Sequence, residues 1–327
     1  GSQVYTGPIQ VTGPTRLAAR VFKDGLLPSP PERRTFVIVE PGLLDFSSNL
    51  PLVLCVTFDR GLGPNCSGGD YTPGHITVVA PGSDGRANLV EEPHLAHLAA
   101  FRRRGTSTCG SAKFSFNVEM QDADGGEEDV EILDFPAESD YIMYGPNNID
   151  RALIRNPLAY WMSRESGHWA ARTRNVECFF HAGLGPVTNE SYAGVYNLME
   201  RNDRHPMRID IQEITSRDTE GSALTGGYIL RRDAPGPDEI RINGGGYSNL
   251  IFTYPSLPLP EQQSYVASFL NQAIASLSPN NGKQEDNPLI DFTTWLDYHI
   301  LNWYMKNSDA FRLSAYFYKD RAGPLVM

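Results

Sequence analysis

The order in which hydrophobic periodicities follow one another constrains this chain more than any other feature. Residues 52–58 form a short β-branched apolar run with the length of a buried strand. Residues 113–120 alternate apolar and polar through Phe114, Phe116, Val118 and Met120. After the acidic, glycine-containing stretch 122–129, a second strand at 130–133 is expected to return as a hairpin. Further strand candidates lie at 175–181, 192–199, 208–211 and 227–231. A helix is expected over 149–163, with Pro157 implying a kink or a later start. Two clearer helices follow. Residues 261–277 repeat Tyr265, Phe269, Ala273 and Leu277 at a spacing of four, and residues 292–305 place Phe292, Leu296, Ile300, Trp303 and Tyr304 on one stripe. Both stripes are expected to pack on a core. Strand-prone runs at 314–318 and 325–327 flank Asp320-Arg321-Ala322-Gly323, a closing hairpin. Strands, then long helices, then a hairpin is the order of an α+β protein with a β-rich lobe followed by a helical one.

Composition excludes several classes. A net charge of -11 leaves no basic face for a phosphate backbone unless the cations cluster, and the one cluster, Arg102-Arg103-Arg104, is short. No nucleic-acid partner is expected. No apolar run reaches the roughly 20 residues that cross a bilayer, so no transmembrane segment is expected either. There is no G-x-S-x-G elbow, no H-E-x-x-H and no P-loop. His94 and His97 are the only close histidine pair; they read as a surface helix or as two ligands of one metal. The carboxylates of 122–129 suggest calcium but lack the register of a calcium loop, and a solvated hairpin tip is the other reading.

Cys55, Cys66, Cys109 and Cys178 fit neither a zinc ribbon nor a redox pair. One or two disulfides in an exported protein, or buried free thiols, are both open. Asn65-Cys66-Ser67 and Asn189-Glu190-Ser191 match the glycosylation sequon, a pattern that arises often by chance.

Two resemblances organise the rest. The phrases Tyr5-Thr6-Gly7-Pro8-Ile9 and Arg20-Val21-Phe22-Lys23-Asp24-Gly25-Leu26-Leu27 resemble the end of the Ig-like module that follows catalytic domains in chitobiases and hexosaminidases. That resemblance implies a small β-sandwich-like accessory fragment over residues 1–44. Farther on come Arg104-Gly105-Thr106-Ser107-Thr108 with Lys113, Arg155-Asn156-Pro157, residues 192–200, Arg208-Ile209-Asp210-Ile211, Gly226-Gly227-Tyr228, Asn307-Ser308-Asp309 and residues 314–321. In this order, over residues 45–327, they resemble the CotH kinase family of spore-coat and secreted bacterial proteins.

The resemblance implies a bilobal, atypical protein-kinase-like fold that uses ATP with magnesium or manganese to phosphorylate serine or threonine on surface or coat proteins, outside the cell. It places Lys113 at the nucleotide phosphates, with Arg104 assisting; alone, Lys113 reads as a strand-edge lysine and Arg104 as a solvated basic turn. It makes Asp309 the catalytic carboxylate, five residues before Ser314, where the kinase catalytic loop has a metal-binding Asn. A hydroxyl is a weaker metal ligand than an amide carbonyl, so Ser314 is a departure, and Asp309 alone reads as a helix-end turn residue. Glu200 and Tyr196 fall where they contact the nucleotide, or else are a strand-end charge and a core aromatic. Arg155 and Asn156 orient the phosphate-binding lobe or simply start a helix. The family continues into a tryptophan-aspartate-aromatic-aspartate stretch beyond the position of Met327, so the expectation is a chain cut short of its metal-binding carboxylates and inactive as it stands. A non-catalytic cell-surface scaffold with the same fold is the rival reading, and a carbohydrate-associated module a third.

Overall fold

The structure is a computed structural model and describes residues 3–58, 60–63, 69–105, 108–146, 150–236, 239–242, 249–277 and 284–327. The sequon Asn65-Cys66-Ser67, Thr106-Ser107 of the arginine-glycine segment and the expected helix start at Ile149 lie outside the described residues. Among the described residues, no helix is long and apolar enough to cross a membrane.

In chain order the strands are β1 (Thr15–Ala19), β2 (Glu32–Phe36), β3 (Ser47–Ser48), β4 (Leu52–Thr57), β5 (Thr72–Val79), β6 (Ala87–Asn88), β7 (Leu95–Arg104), β8 (Ser115–Met120), β9 (Val130–Ile132), β10 (Phe135–Glu138) and β11 (Asp140–Tyr144). Helix α1 (Arg155–Glu165) precedes β12 (Thr173–His181), β13 (Tyr192–Glu200), β14 (Tyr228–Arg232) and β15 (Leu250–Tyr254); α2 (Pro260–Ser276), α3 (Phe292–Tyr304), β16 (Ala315–Lys319) and β17 (Leu325–Val326) complete the chain. The protein is thus mixed α/β and strand-rich. It divides into two compact units, the first of residues 1–153 and 174–200, the second of residues 154–173 and 201–327.

The first unit is built on a closed seven-stranded barrel in the order β11-β13-β12-β4-β5-β7-β8, with β8 returning to pair with β11. The pairs β11-β13, β4-β5, β5-β7, β7-β8 and β8-β11 are antiparallel, whereas β12 and β4 run parallel with Cys178 opposite Val53. Alternate residues point inward, as the period of two requires. Val53, Cys55, Ile76, Val78, Phe101, Phe116, Val118, Tyr141, Cys178 and Tyr196 fill the interior. The residues between them, Leu52, Leu54, Val56, Val79 and Phe179, meet a second layer that includes Leu43, Val37, Val39 and Phe46. Covered on both sides, β4 is buried at all six positions, and its apolar run is continuous for that reason. Gly74 lets two barrel elements close: a Cβ there would lie 2.2 Å from the Val56 carbonyl oxygen and 2.7 Å from the Phe101 ring. The N-terminal hairpin β1-β2 is tied to the 122–126 turn, where Arg33 pairs with Asp124 at 2.9 Å and Arg16 donates to the Ala123 carbonyl at 2.5 Å.

Two expectations fail in this unit. The strand at 130–133 does not return on β8. The 122–126 turn closes only a single bridge, Gln121 with Glu127, after which β9 folds back on β10 through Leu133 and Asp134, with Leu133 at φ 55°. Strand β8 instead lies between β7 and β11. The His94–His97 segment is not a helix either. His97 lies in β7 opposite Ile76, and His94 sits in a bend just before that strand.

In the second unit an antiparallel sheet, β15-β14-β16-β17, is covered on one side by α2: Val266, Phe269, Leu270 and Ala273 pack on Tyr228, Leu230 and Phe317. Ile229 on the other face meets Ile209 and Ile211, with Tyr316 and Tyr318 alongside. The expected strand at 208–211 is reduced to one bridge, Arg204 to Ile209. Helix α3 begins where Asp291 accepts the Thr294 amide at 3.2 Å, an N-cap. Its packed side differs from the expected stripe. Leu296, Ile300, Trp303 and Tyr304 are 45 to 67% exposed, while Thr294, Trp295, Tyr298 and Leu301 turn inward.

Candidate functional site

The candidate residues fall into two groups, one in each unit. In the first, Lys113 stands just before β8. Its ammonium donates to the Val195 carbonyl at 2.6 Å and lies 5.2 Å from the centre of the Tyr196 ring. Burial pulls its pKa down, with the neighbouring Cys178 and Glu177 acting in the opposite direction. Tyr196 is almost wholly buried, donates its hydroxyl to the Phe114 carbonyl at 3.0 Å, and has its ionisation pushed upward by burial. It is a core aromatic whose ring face carries the lysine. Glu177 stands behind this pair, accepting from Tyr192 at 2.7 Å and from Ser48 at 2.8 Å.

Gly194 is the piece the sequence did not single out. Its φ of 92° lies in the region that favours glycine, and a Cβ there would sit 3.6 Å from the Lys113 ammonium. Arg104 ends β7 opposite Ser115, half-buried. Its neighbour Arg103 lies 4.0 Å over the Phe114 ring and donates to the Cys109 carbonyl at 3.3 Å, which holds the segment leading to Lys113. Cys109 itself is in a disulfide, whereas Cys55 and Cys178 are buried free thiols. Glu200 closes β13 opposite Tyr141 and is fully buried, so it belongs to the barrel wall and is not a strand-end surface charge. Lys113 and Tyr196 are therefore brought together.

In the second unit, Asp309 lies in the turn after α3. Its carbonyl accepts the amides of Arg312 and Leu313, both at 2.8 Å, and its carboxylate meets the Arg312 guanidinium at 2.6 Å. Both side chains are more than half exposed, which makes this a weak, solvent-screened pair. Ser314 holds φ 53° and donates to Asp233 at 3.4 Å. Asp233 follows β14, whose Arg231 comes within 4.0 Å of the same carboxylate oxygen and pairs with Glu239 at 2.6 Å. Arg155 and Asn156 open α1, with Arg155 exposed.

Among the described residues, no three His, Cys, Asp or Glu side chains converge as metal ligands. Among the described residues, Ser314 and Asp233 bring one hydroxyl and one carboxylate together, with the Arg231 guanidinium 4.0 Å from that carboxylate. So sparse a set holds magnesium or manganese only where phosphate oxygens and waters complete the shell.

Comparison with known proteins agrees with the ordered segments. No curated protein matches the chain. The family model described as CotH kinase protein matches residues 101–327, from within β7 to the last residue, and so takes in both Lys113 and Asp309. The chain belongs to the CotH kinase protein family.

Proposed function

We propose that this chain is the catalytic part of an extracytoplasmic protein kinase that transfers phosphate from ATP to serine or threonine of surface or coat proteins. The observation that carries the reading is the setting of Lys113, half-desolvated on the face of Tyr196 beside a glycine that leaves its ammonium uncrowded, inside the segment matched by the family model. A lysine so placed suits the phosphates of a nucleotide, and Arg104 assists it. Asp309, with its carboxylate more than half exposed, orients the acceptor hydroxyl. The β-barrel unit and the helix-and-sheet unit stand for the two lobes of a remote kinase-like fold, and residues 1–44 for an accessory module. The disulfide at Cys109 favours an oxidising compartment. ATP enters as its magnesium or manganese complex, the ion being carried by the phosphates.

The test is calorimetric titration with ATP and manganese, combined with transfer of labelled phosphate to a serine/threonine peptide library. Lys113→Ala is expected to weaken ATP binding roughly 10- to 100-fold, the worth of a charge-assisted contact. Asp309→Ala is expected to abolish transfer while ATP affinity and the thermal midpoint hold. Failure of the parent chain to bind ATP would favour the non-catalytic scaffold.

A further inference from the structure

The Asp309 carboxylate is exposed, so its own packing does not aim it. Its direction is set by the turn that carries it, through the main chain and the weak pair with Arg312 of the same turn, and that turn is gripped from two different elements. From α3, Tyr298 donates its hydroxyl to the Ala310 carbonyl at 2.5 Å. From the end of β14, Arg232 donates to the very next carbonyl, that of Phe311, at 2.8 Å. The Phe311 ring stands edge-on to Tyr298 at 5.9 Å and lies 5.0 Å from His299, while Ala310 is 1% exposed. Within the turn, the Asp309 amide donates to the Asn307 side chain at 3.2 Å, and the Asp309 carbonyl receives two amides. The two residues following the carboxylate are thus fixed by a phenol and a guanidinium from outside the turn. Burial pushes the Tyr298 phenol up to about 12, so it stays a donor across the physiological range.

We infer that Tyr298 and Arg232 are positioning residues for Asp309, acting through the 310 and 311 carbonyls. The inference rests on the kinase reading, in which Asp309 orients the acceptor. Displacing a catalytic group by about 1 Å costs up to about 100-fold in rate, and loss of either anchor frees one carbonyl of the turn.

Tyr298→Phe, Arg232→Met and Arg232→Lys would be compared with the parent chain and with Asp309→Asn. The measurements are turnover at saturating ATP and peptide, ATP affinity, the thermal midpoint, and hydrogen exchange of the Arg312 and Leu313 amides. Tyr298→Phe and Arg232→Met should each lower turnover roughly 10- to 100-fold, with ATP affinity unchanged within about twofold and faster exchange at Arg312 and Leu313. Arg232→Lys, which keeps a donor, should recover part of the loss. Turnover within about twofold of the parent in both anchor variants, with Asp309→Asn dead, would overturn the inference and leave the kinase reading standing. So would a loss of turnover matched by loss of ATP affinity or thermal stability, since that marks a merely structural role. Transfer that survives in Asp309→Asn would overturn the kinase reading itself.

Discussion

Acidification should loosen the barrel through one imidazole. His75 lies in β5 between Val56 of β4 and Leu98 of β7, only 6% exposed, with its Nδ1 3.3 Å from the Thr77 hydroxyl. Burial first, and then the positive charge available to His97, lower its pKa from the ordinary 6.5 to about 4. His97 in turn lies 3.5 Å from Glu128. The unfolded chain takes a proton at His75 near pH 6.5 and the folded chain only near pH 4. Between those values the unfolded state holds more protons, so stability is full above about pH 6.5, falls as pH falls, and levels off below about pH 4. At roughly 1.4 kcal/mol per pH unit, the gap is worth about 3 kcal/mol. Carboxylates titrate in the same interval, so the informative quantity is a difference between the parent chain and His75→Gln. Tryptophan emission is a poor probe, because Trp161, Trp169, Trp295 and Trp303 all belong to the second unit. The buried thiols of Cys55 and Cys178 line the barrel interior and report its opening directly. Pulsed labelling of these thiols during urea unfolding, at pH 7, 6, 5 and 4, should show the parent losing about 3 kcal/mol more than His75→Gln. Parallel losses, within about 1 kcal/mol, would refute the assignment of a buried neutral imidazole.

Two glycines offer sharper perturbations. Gly194→Ala forces a side chain into φ 92° and sets a methyl 3.6 Å from the Lys113 ammonium; it should cost roughly 1–3 kcal/mol in urea unfolding and weaken ATP binding in calorimetry. Gly226→Ala would place a Cβ 2.1 Å from the Arg321 amide nitrogen and the Asp320 carbonyl carbon, both backbone. It should cost about 3 kcal/mol or more in thermal unfolding, whereas an unchanged midpoint would show that the β16–β17 connection yields freely.

How far the sequence discloses this structure depends on where its signals are local. β4 was legible because a strand covered on both sides writes an unbroken apolar run. α2 was legible because its period of four is sustained, and Phe269 and Ala273 of the expected stripe do turn inward, although Leu277 is exposed. The hairpin β9-β10 was not, because its reversal uses Leu133 at positive φ, a residue type that gives no turn signal. The α3 stripe misled in a different way. Large apolar residues occur on both sides of the helix, and the side that turns inward carries Thr294, Tyr298 and Asn302, whose value lies in hydrogen bonds that periodicity does not register. The same holds for the candidate site. Lys113 and Asp309 were marked by ordered short segments, but Gly194, Arg232, Asp233 and Tyr298 come from separate strands and a helix, at separations that no local pattern spans.

The barrel also bears on where the functional unit begins. The family match starts at residue 101, inside β7, yet β7 pairs with β5 along seven residues and β12 pairs with β4 along five. Residues 52–79 therefore supply two of the seven barrel strands from outside the matched segment. Without them, β7 and β12 would each present an unpaired edge, and inward residues such as Phe101 and Cys178 would lose Ile76, Val53 and Cys55 as neighbours in the same interior. Lys113 depends on that interior, because Tyr196, which carries its ammonium, packs there against Phe116 at 6.0 Å. Lys113, inside the matched segment, is thus held in place by strands that the match does not reach.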